Sequence, residues 1–238
     1  MLDATLVNRE GAASVATRSA AIAPLFRGRF CDVLLAQRAP RLYRKDELLY
    51  DMGARERAFH FVQRGVVKVG TITEGGREII YDVRKDRAVV GELCAVEPVR
   101  RDRAVALEPT AAIAVPLDDV MDALAAHPAL LRDFVATFCD ARADAHAQVE
   151  RLATDDVMPR LAGVLRKLAT KLGRTVGERV EIATYLTQEE VAQMVMARRE
   201  RVSTALNALR RRGIADYSPR GRLVLDMRAL DEYVACIG

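Results

Sequence analysis

Apolar positions change their rhythm near Pro116. From about residue 30 to 116 they come in short runs broken by turn signals; beyond it they take helical spacing. Phe59-His60-Phe61-Val62 and Gly65-Val66-Val67-Lys68-Val69 predict consecutive strands. Thr71-Ile72-Thr73 leads into Glu74-Gly75-Gly76-Arg77, a Gly-Gly hairpin turn. Further runs follow at Glu78–Val83, Ala88–Val90, Ala104–Leu107 and Ala111–Val115. Many short strands at regular spacing predict an all-β sandwich or roll.

After Pro116, Asp118 or Asp119 is placed to cap a short helix reaching about Ala126, and Pro128 opens a longer one. The longer helix carries Leu131, Phe134, Phe138, Ala141, Ala145, Gln148 and Leu152 at alternating spacings of three and four. A sustained seam of this kind predicts a partner helix, here a second copy of the chain. A single amphipathic helix packed on its own β domain is the other reading. Asp155-Asp156 ahead of Pro159 predicts a hinge, followed by a helix over 157–172 and a turn with a short strand over 173–181.

The segment 187–213 predicts two helices joined by a tight turn. Thr187 and Glu190 form a capping box, the hydroxyl taking an early helix N–H and the glutamate reaching back to the cap. Val191, Met194 and Val195 face a core, and Ala192 is small enough for a close helix crossing. The second helix sets Val202, Leu206 and Leu209 on one stripe, with Arg198, Arg199, Glu200, Arg201, Ser203 and Thr204 mainly off it. That is the layout of a helix-turn-helix, whose second helix places N-terminal side chains on base edges in the major groove. Arginine reads guanine bidentately, and glutamate accepts from the cytosine amino group. An ordinary helical hairpin with a solvated charged face has the same pattern. The turn of such motifs usually carries glycine near the place of Met196, so Met196 must avoid a left-handed conformation or be strained there. Ile214–Tyr217 and Arg222–Asp226 predict two short strands around Ser218-Pro219-Arg220-Gly221, and 230–235 a last helical turn or two. Helices followed by such a hairpin make a winged helix.

Charge sharpens this picture. Residues 155–238 hold 15 Lys and Arg against 11 Asp and Glu, so the whole net charge of +4 sits in the C-terminal third. Within 196–228 there are nine arginines and three acids, the footprint expected for a phosphate backbone. No apolar run approaches a membrane span, and Met1-Leu2-Asp3-Ala4 opens no signal peptide, which points to the cytoplasm. Cys31, Cys94, Cys139 and Cys236 are scattered, without zinc or iron–sulfur spacing, and read as reduced thiols. His60, His127 and His146 are isolated, so no metal set, no catalytic constellation and no haem motif is visible. A metal-dependent enzyme on the β domain would need clustered histidines.

Several pieces occur in order at family spacing: Gly65-Val66-Val67-Lys68-Val69, Gly76-Arg77-Glu78-Ile79, Gly91-Glu92-Leu93, and Leu186-Thr187-Gln188-Glu189-Glu190-Val191-Ala192 with Arg199-Glu200 eleven residues past Gln188. Together they resemble the cyclic-AMP receptor protein/fumarate-nitrate regulator superfamily of bacterial transcription factors, over roughly residues 25–227. The resemblance implies an α+β chain with an N-terminal antiparallel β-roll (a cyclic-nucleotide-binding-like jelly roll), a long dimerisation helix and a C-terminal winged helix-turn-helix. Expected boundaries are 1–24 for an N-terminal arm, 25–117 for the effector-sensing roll, 118–154 for the dimerisation region and 155–238 for the DNA-binding domain.

It further implies a homodimer on an inverted-repeat site in double-stranded DNA, with RNA polymerase as partner if the protein activates. Thr187, Gln188, Arg198, Arg199, Glu200, Arg201, Ser203 and Thr204 form the DNA-contacting set, with Arg199 and Glu200 as base readers. Thr204 stands where many members carry another base-reading arginine. The effector pocket maps to Gly91, Glu92, Leu93, Arg101, Asp102, Arg103, Ala104, Ala145 and His146. In cyclic-AMP sensors the glutamate takes the ribose hydroxyl and an arginine pairs with the phosphate. Glu92 is in place, but the ungapped arginine position holds Asp102 unless the loop shifts to bring in Arg101 or Arg103. Threonine and serine contacts to adenine are replaced by Ala145 and His146. The effector is therefore unidentified, with a cyclic nucleotide still open and an iron–sulfur cluster or haem unsupported. A redox role for Cys94 beside Glu92 competes with a buried structural one. A cyclic-nucleotide regulatory subunit without DNA binding is disfavoured by the basic C-terminal domain.

Overall fold

A computed structural model describes residues 34–96, 98–154, 156–184, 186–217 and 222–237. The arm at 1–24, Cys31, Asp155 and the wing tip at 218–221 lie outside the described residues. Two four-stranded antiparallel sheets form the N-terminal half, in the orders β1-β8-β3-β6 and β2-β7-β4-β5. Their strands are β1 (Arg41–Tyr43), β2 (Leu48–Tyr50), β3 (Ala58–Arg64), β4 (Val66–Ile72), β5 (Glu78–Lys85), β6 (Val89–Val90), β7 (Arg103–Ala106) and β8 (Thr110–Pro116). The expected hairpin joins β4 to β5, closed by Gly76 N–H donating to Thr73 O at 2.8 Å.

Strand alternation explains why β3 is buried along five consecutive residues. Val62 points into the roll with Tyr43, Tyr50 and Val67, while Phe59 and Phe61 pack outward under helix α1 (Leu117–Ala126). Helix α1 is capped two or three residues earlier than the expected Asp118 or Asp119. Pro116 is its N-cap residue, and Asp118 and Asp119 fall in its first turn, favourable to the helix dipole. Helix α2 (Pro128–Thr154) is the long helix.

The C-terminal half comprises α3 (Val157–Leu172), β9 (Gly173–Val176), β10 (Arg179–Ile182), α4 (Gln188–Val195), α5 (Arg199–Arg211), β11 (Ala215–Tyr217), β12 (Leu223–Leu225) and α6 (Met227–Ile237). Its sheet runs β11-β12-β10-β9. Two strands occupy the stretch expected to hold one, and α6 is longer than the turn or two read at 230–235. Val66, Ile80, Val83 and Leu107 from the roll share one apolar cluster with Leu161, Leu165, Leu168, Val191 and Leu206. The two halves thus meet through a continuous core.

Candidate nucleic-acid interface and sensor pocket

The helix-turn-helix is built by local chemistry. Thr187 Oγ1 accepts from Glu190 N–H at 3.1 Å, and a Glu190 carboxylate oxygen accepts from Thr187 N–H at 2.8 Å, completing the capping box. Val191, Ala192, Met194 and Val195 are buried, which aims α4 at α3 and α5. Met196 ends α4 at φ 55, ψ 43, a left-handed conformation that costs a residue with a Cβ about 1–2 kcal/mol. The turn therefore takes the strained alternative. Arg198 is the N-cap residue of α5, with its carbonyl accepting from Arg201 and Val202 N–H.

Val202, Ala205, Leu206 and Leu209 bury one stripe of α5. Arg198, Arg199, Glu200, Arg201 and Thr204 are exposed, while Ser203, Thr187 and Gln188 are half-buried. Five of the eight candidate contact residues are therefore solvent-exposed and three partly so. Thr204 Oγ1 donates to Glu200 O at 2.9 Å, so its hydroxyl is engaged within the helix and presents mainly a methyl group. Asn207, not singled out from sequence, is exposed one turn further along; its three-residue spacing from Thr204 was the available signal. Of the late arginines, Arg210 pairs with Asp216 at 3.6 Å, and Arg212 lies 5.0 Å over the Tyr233 ring.

The roll reaches this motif directly. Lys68 on β4 pairs with Glu190 at 3.2 Å and with Glu78 at 3.3 Å, and Arg77 of the β4–β5 hairpin donates to Ala197 O at 3.2 Å. Partners more than a hundred residues apart leave no local signal in sequence.

Of the candidate effector-pocket residues, Gly91, Glu92 and Leu93 sit in the turn after β6, Arg103 and Ala104 lie on β7, and Ala145 and His146 lie on α2. Gly91 is left-handed at φ 89, and a Cβ there would sit 2.6 Å from the Arg100 guanidinium. Arg100, another residue missed from sequence, is buried and donates to Gly91 O at 2.6 Å and Ala58 O at 2.5 Å, stacking 4.1 Å over Tyr50. Its charge serves the roll's own backbone. Asp102 is also buried and accepts from Tyr50 Oη at 3.1 Å; burial and the nearby Glu92 push its carboxyl up from the ordinary range. Glu92 is held by Arg84 at 3.5 Å, Arg103 pairs with Asp51 at 3.2 Å, Arg101 is exposed and Ala104 is fully buried. Leu93 is partly exposed, and Ala145 and His146 are exposed on α2. Burial pushes the Cys94 thiol up, so it is a poor thiolate and packs as a small apolar side chain.

Along α2, Leu131, Ala141, Ala145 and Leu152 are exposed. Two expected seam positions turn to their own chain instead. Phe134 stacks on Phe59 at 6.1 Å between ring centroids, and Gln148 lines a cleft against β5 and α3. Phe138 meets Phe134 edge-on at 4.8 Å. Val135 and Val149, one position further round from Phe134 and Gln148, are also exposed, at 53% and 65%. Phe134 is thus half-buried against the roll, while most of the expected seam positions remain exposed.

Family models match both halves: the cyclic nucleotide-binding domain over residues 40–127 and the Crp-like helix-turn-helix domain over 159–233. A global nitrogen regulator from Synechocystis sp. is 28% identical over 154 residues, covering 63% of this chain and 68% of that protein. A CRP-like cAMP-activated global transcriptional regulator from Mycobacterium tuberculosis is 27% identical over 172 residues, covering 72% of this chain and 73% of its own. Among solved structures, FixK2 from Bradyrhizobium japonicum superposes with a TM-score of 0.71 at 22% identity, covering 82% of this chain and 96% of that one. A CooA mutant from Carboxydothermus hydrogenoformans gives 0.70 at 21% identity, covering 90% and 95%.

Proposed function

Because this chain belongs to the cyclic-AMP receptor protein/fumarate-nitrate regulator superfamily and is a DNA-binding transcription regulator, we propose that it works as a homodimer in the cytoplasm. Each copy lays α5 in a major groove of an inverted-repeat site, with RNA polymerase as a further partner where it activates. The observation that carries the reading is the arginine-rich start of α5, exposed on a helix whose opposite stripe is buried. Arg199 reads guanine bidentately and Glu200 accepts from cytosine, while Arg198 and Arg201 meet backbone or flanking bases. Thr187, Gln188 and Ser203 support the same side, and Thr204 offers a methyl contact.

The apolar face of α2 supports the dimer, with exposed Leu131, Val135, Ala145, Val149 and Leu152 and half-buried Phe138 as its seam. Cyclic AMP is a poor effector for the roll, because Asp102 offers a carboxyl near the place of a phosphate and Ala145 and His146 supply no hydroxyl. The matched relatives named above are transcription regulators, and among the described residues no three His, Cys, Asp or Glu side chains cluster as a metal set. No described helix is long and apolar enough to cross a membrane.

Selection of binding sites from random duplex DNA tests the base reader. Wild type should enrich an inverted repeat, and Arg199→Ala should lose about 1–3 kcal/mol and relax one base pair per half-site. Equal information at every position from both proteins would remove Arg199 from the base-reading role.

A further inference from the structure

We propose that the cleft between β5, the end of α2 and helices α3 and α4 binds a small organic phosphate. Its floor is apolar, formed by Ile80, Val83, Val164, Leu168 and Met194. Four cationic side chains line it: Arg151 from α2, and Arg160, Lys167 and Lys171 from α3. The single lining carboxylate, Asp82, is already shared by Lys171, Lys167 at 3.1 Å and Arg84 at 2.7 Å. Positive charge therefore exceeds what the lining can neutralise, and an anion supplies the difference.

Two further observations point to an occupant. Arg160 Nε is buried with no hydrogen-bond partner, a donor left waiting for an acceptor. Gly163 sits in the interior of α3, where glycine is the poorest helix former after proline. It lines the cleft, and a Cβ built on it would meet nothing within 4 Å. No packing contact demands glycine there; what its bare backbone preserves is open space beside the cations. An apolar floor under a cationic rim suits a phosphate carried on a planar or apolar body, not a bare ion. Burial has brought Lys171 down to about 8 despite Asp82, with Lys167 and Arg84 acting in the same downward sense. A bound dianion reverses that and draws a proton from solution. The cleft's lining shares no residue with the candidate pocket around Gly91 and Asp102, although Arg84 links Asp82 to Glu92 there, and the site does not depend on the DNA reading.

Isothermal titration of the full chain at about pH 8, in buffers of different ionisation heat, tests this with ADP, tripolyphosphate and citrate. ADP should bind saturably with a dissociation constant on the order of 100 µM, with proton uptake, and tripolyphosphate and citrate should bind at least tenfold more weakly. Arg160→Gln and Gly163→Met should each weaken ADP at least tenfold, with melting curves confirming the fold. Gly163→Ala, which adds one methyl to open space, gives a smaller loss in a variant expected to fold. Arg103→Ala in the roll and Arg199→Ala on the DNA side should leave binding within twofold. The proposal is overturned by no saturable heat from any probe at about 2 mM, or by ADP binding that survives the cleft variants. Loss in Arg103→Ala or Arg199→Ala would move the site to the roll or the DNA face and overturn it equally. Tripolyphosphate binding as tight as ADP would refute an organic body on the apolar floor.

Discussion

In the proposed effector pocket, Asp102 is the residue that most narrows what the roll would accept. Its carboxyl is buried against Tyr50, with Arg100 spent on backbone carbonyls and Arg103 on Asp51. A phosphate entering there meets an acid, and to gain Arg103 it would have to break the pair with Asp51. Titration with cyclic AMP should accordingly give a dissociation constant weaker than about 10 µM; tighter binding would mean that the loop rearranges to present Arg101 or Arg103. Lys171 and Asp82 yield a prediction with opposite signs at two ends of the pH scale. Lys171 titrates at about 8 in the fold against an ordinary 10.5, so the unfolded chain holds its proton more tightly. Its charge is therefore unfavourable at neutral pH, and stability rises between about pH 8 and 10.5. Relative to Lys171→Met, wild type should gain about 2 kcal/mol across that window, after allowance for partial exposure. Asp82 behaves conversely. Burial would raise its carboxyl, but Arg84, Lys171 and Lys167 hold it well below 3.8. Its contribution is complete above 3.8 and is lost as pH falls below it, so Asp82→Asn should flatten the acid limb. Urea midpoints across both windows check the two slopes.

At the scale of elements, legibility depended on how local the causes are. The capping box, the stripe of α5 and the Gly-Gly hairpin all act within a few residues, and each is legible in the sequence. β1 and β2 are not, because three-residue strands with one or two buried positions carry no period. The face of α2 was readable only in part. Residues 134 and 135 are both apolar, and either completes a repeat of threes and fours through Leu131, Phe138, Ala145 and Leu152. What chooses between them is Phe59, seventy-five residues away, which takes Phe134 for the roll. Likewise, nothing local says which of the neighbouring Arg100, Arg101 and Arg103 turns inward. The proposed seam predicts a separation of effects. Phe138→Glu removes apolar contact worth about 1.5–3 kcal/mol per copy and sets like charges across the dyad. Sedimentation should show dimer dissociation strengthened at least about a hundredfold. Phe134→Ala should instead lower the melting temperature, by about 2 kcal/mol of stability, since a half-buried ring loses less than a fully buried one. Loss of the dimer in Phe134→Ala, with the melt unchanged, would return Phe134 to the seam.

For the whole molecule, the decisive arrangement is the common core joining roll and winged helix, reinforced by Lys68 with Glu190 and Arg77 with Ala197 O. In the proposed homodimer, a DNA-binding half fixed in this way is aimed by the dyad. Two α5 helices related by a dyad meet successive major grooves only if they stand about 34 Å apart, one turn of B-DNA. Hydroxyl-radical footprints should therefore show protected backbone in patches about one helical turn apart, symmetric about the centre of an inverted repeat. Changing the half-site spacing by five base pairs should abolish tight binding, because it carries the second half-site to the far face of the duplex. Electrostatics adds a second, independent signature. Arg211 is exposed late in α5, whereas Arg210 and Arg212 are engaged by Asp216 and Tyr233. If Arg211 meets phosphate, Arg211→Ala should weaken every sequence alike and reduce the salt slope by about one per copy, while Arg212→Ala leaves that slope unchanged. Filter-binding titrations between about 50 and 200 mM salt measure both. Equal slopes in wild type and Arg211→Ala would take the end of α5 off the backbone and leave phosphate contact to Arg198, Arg201 and the wing.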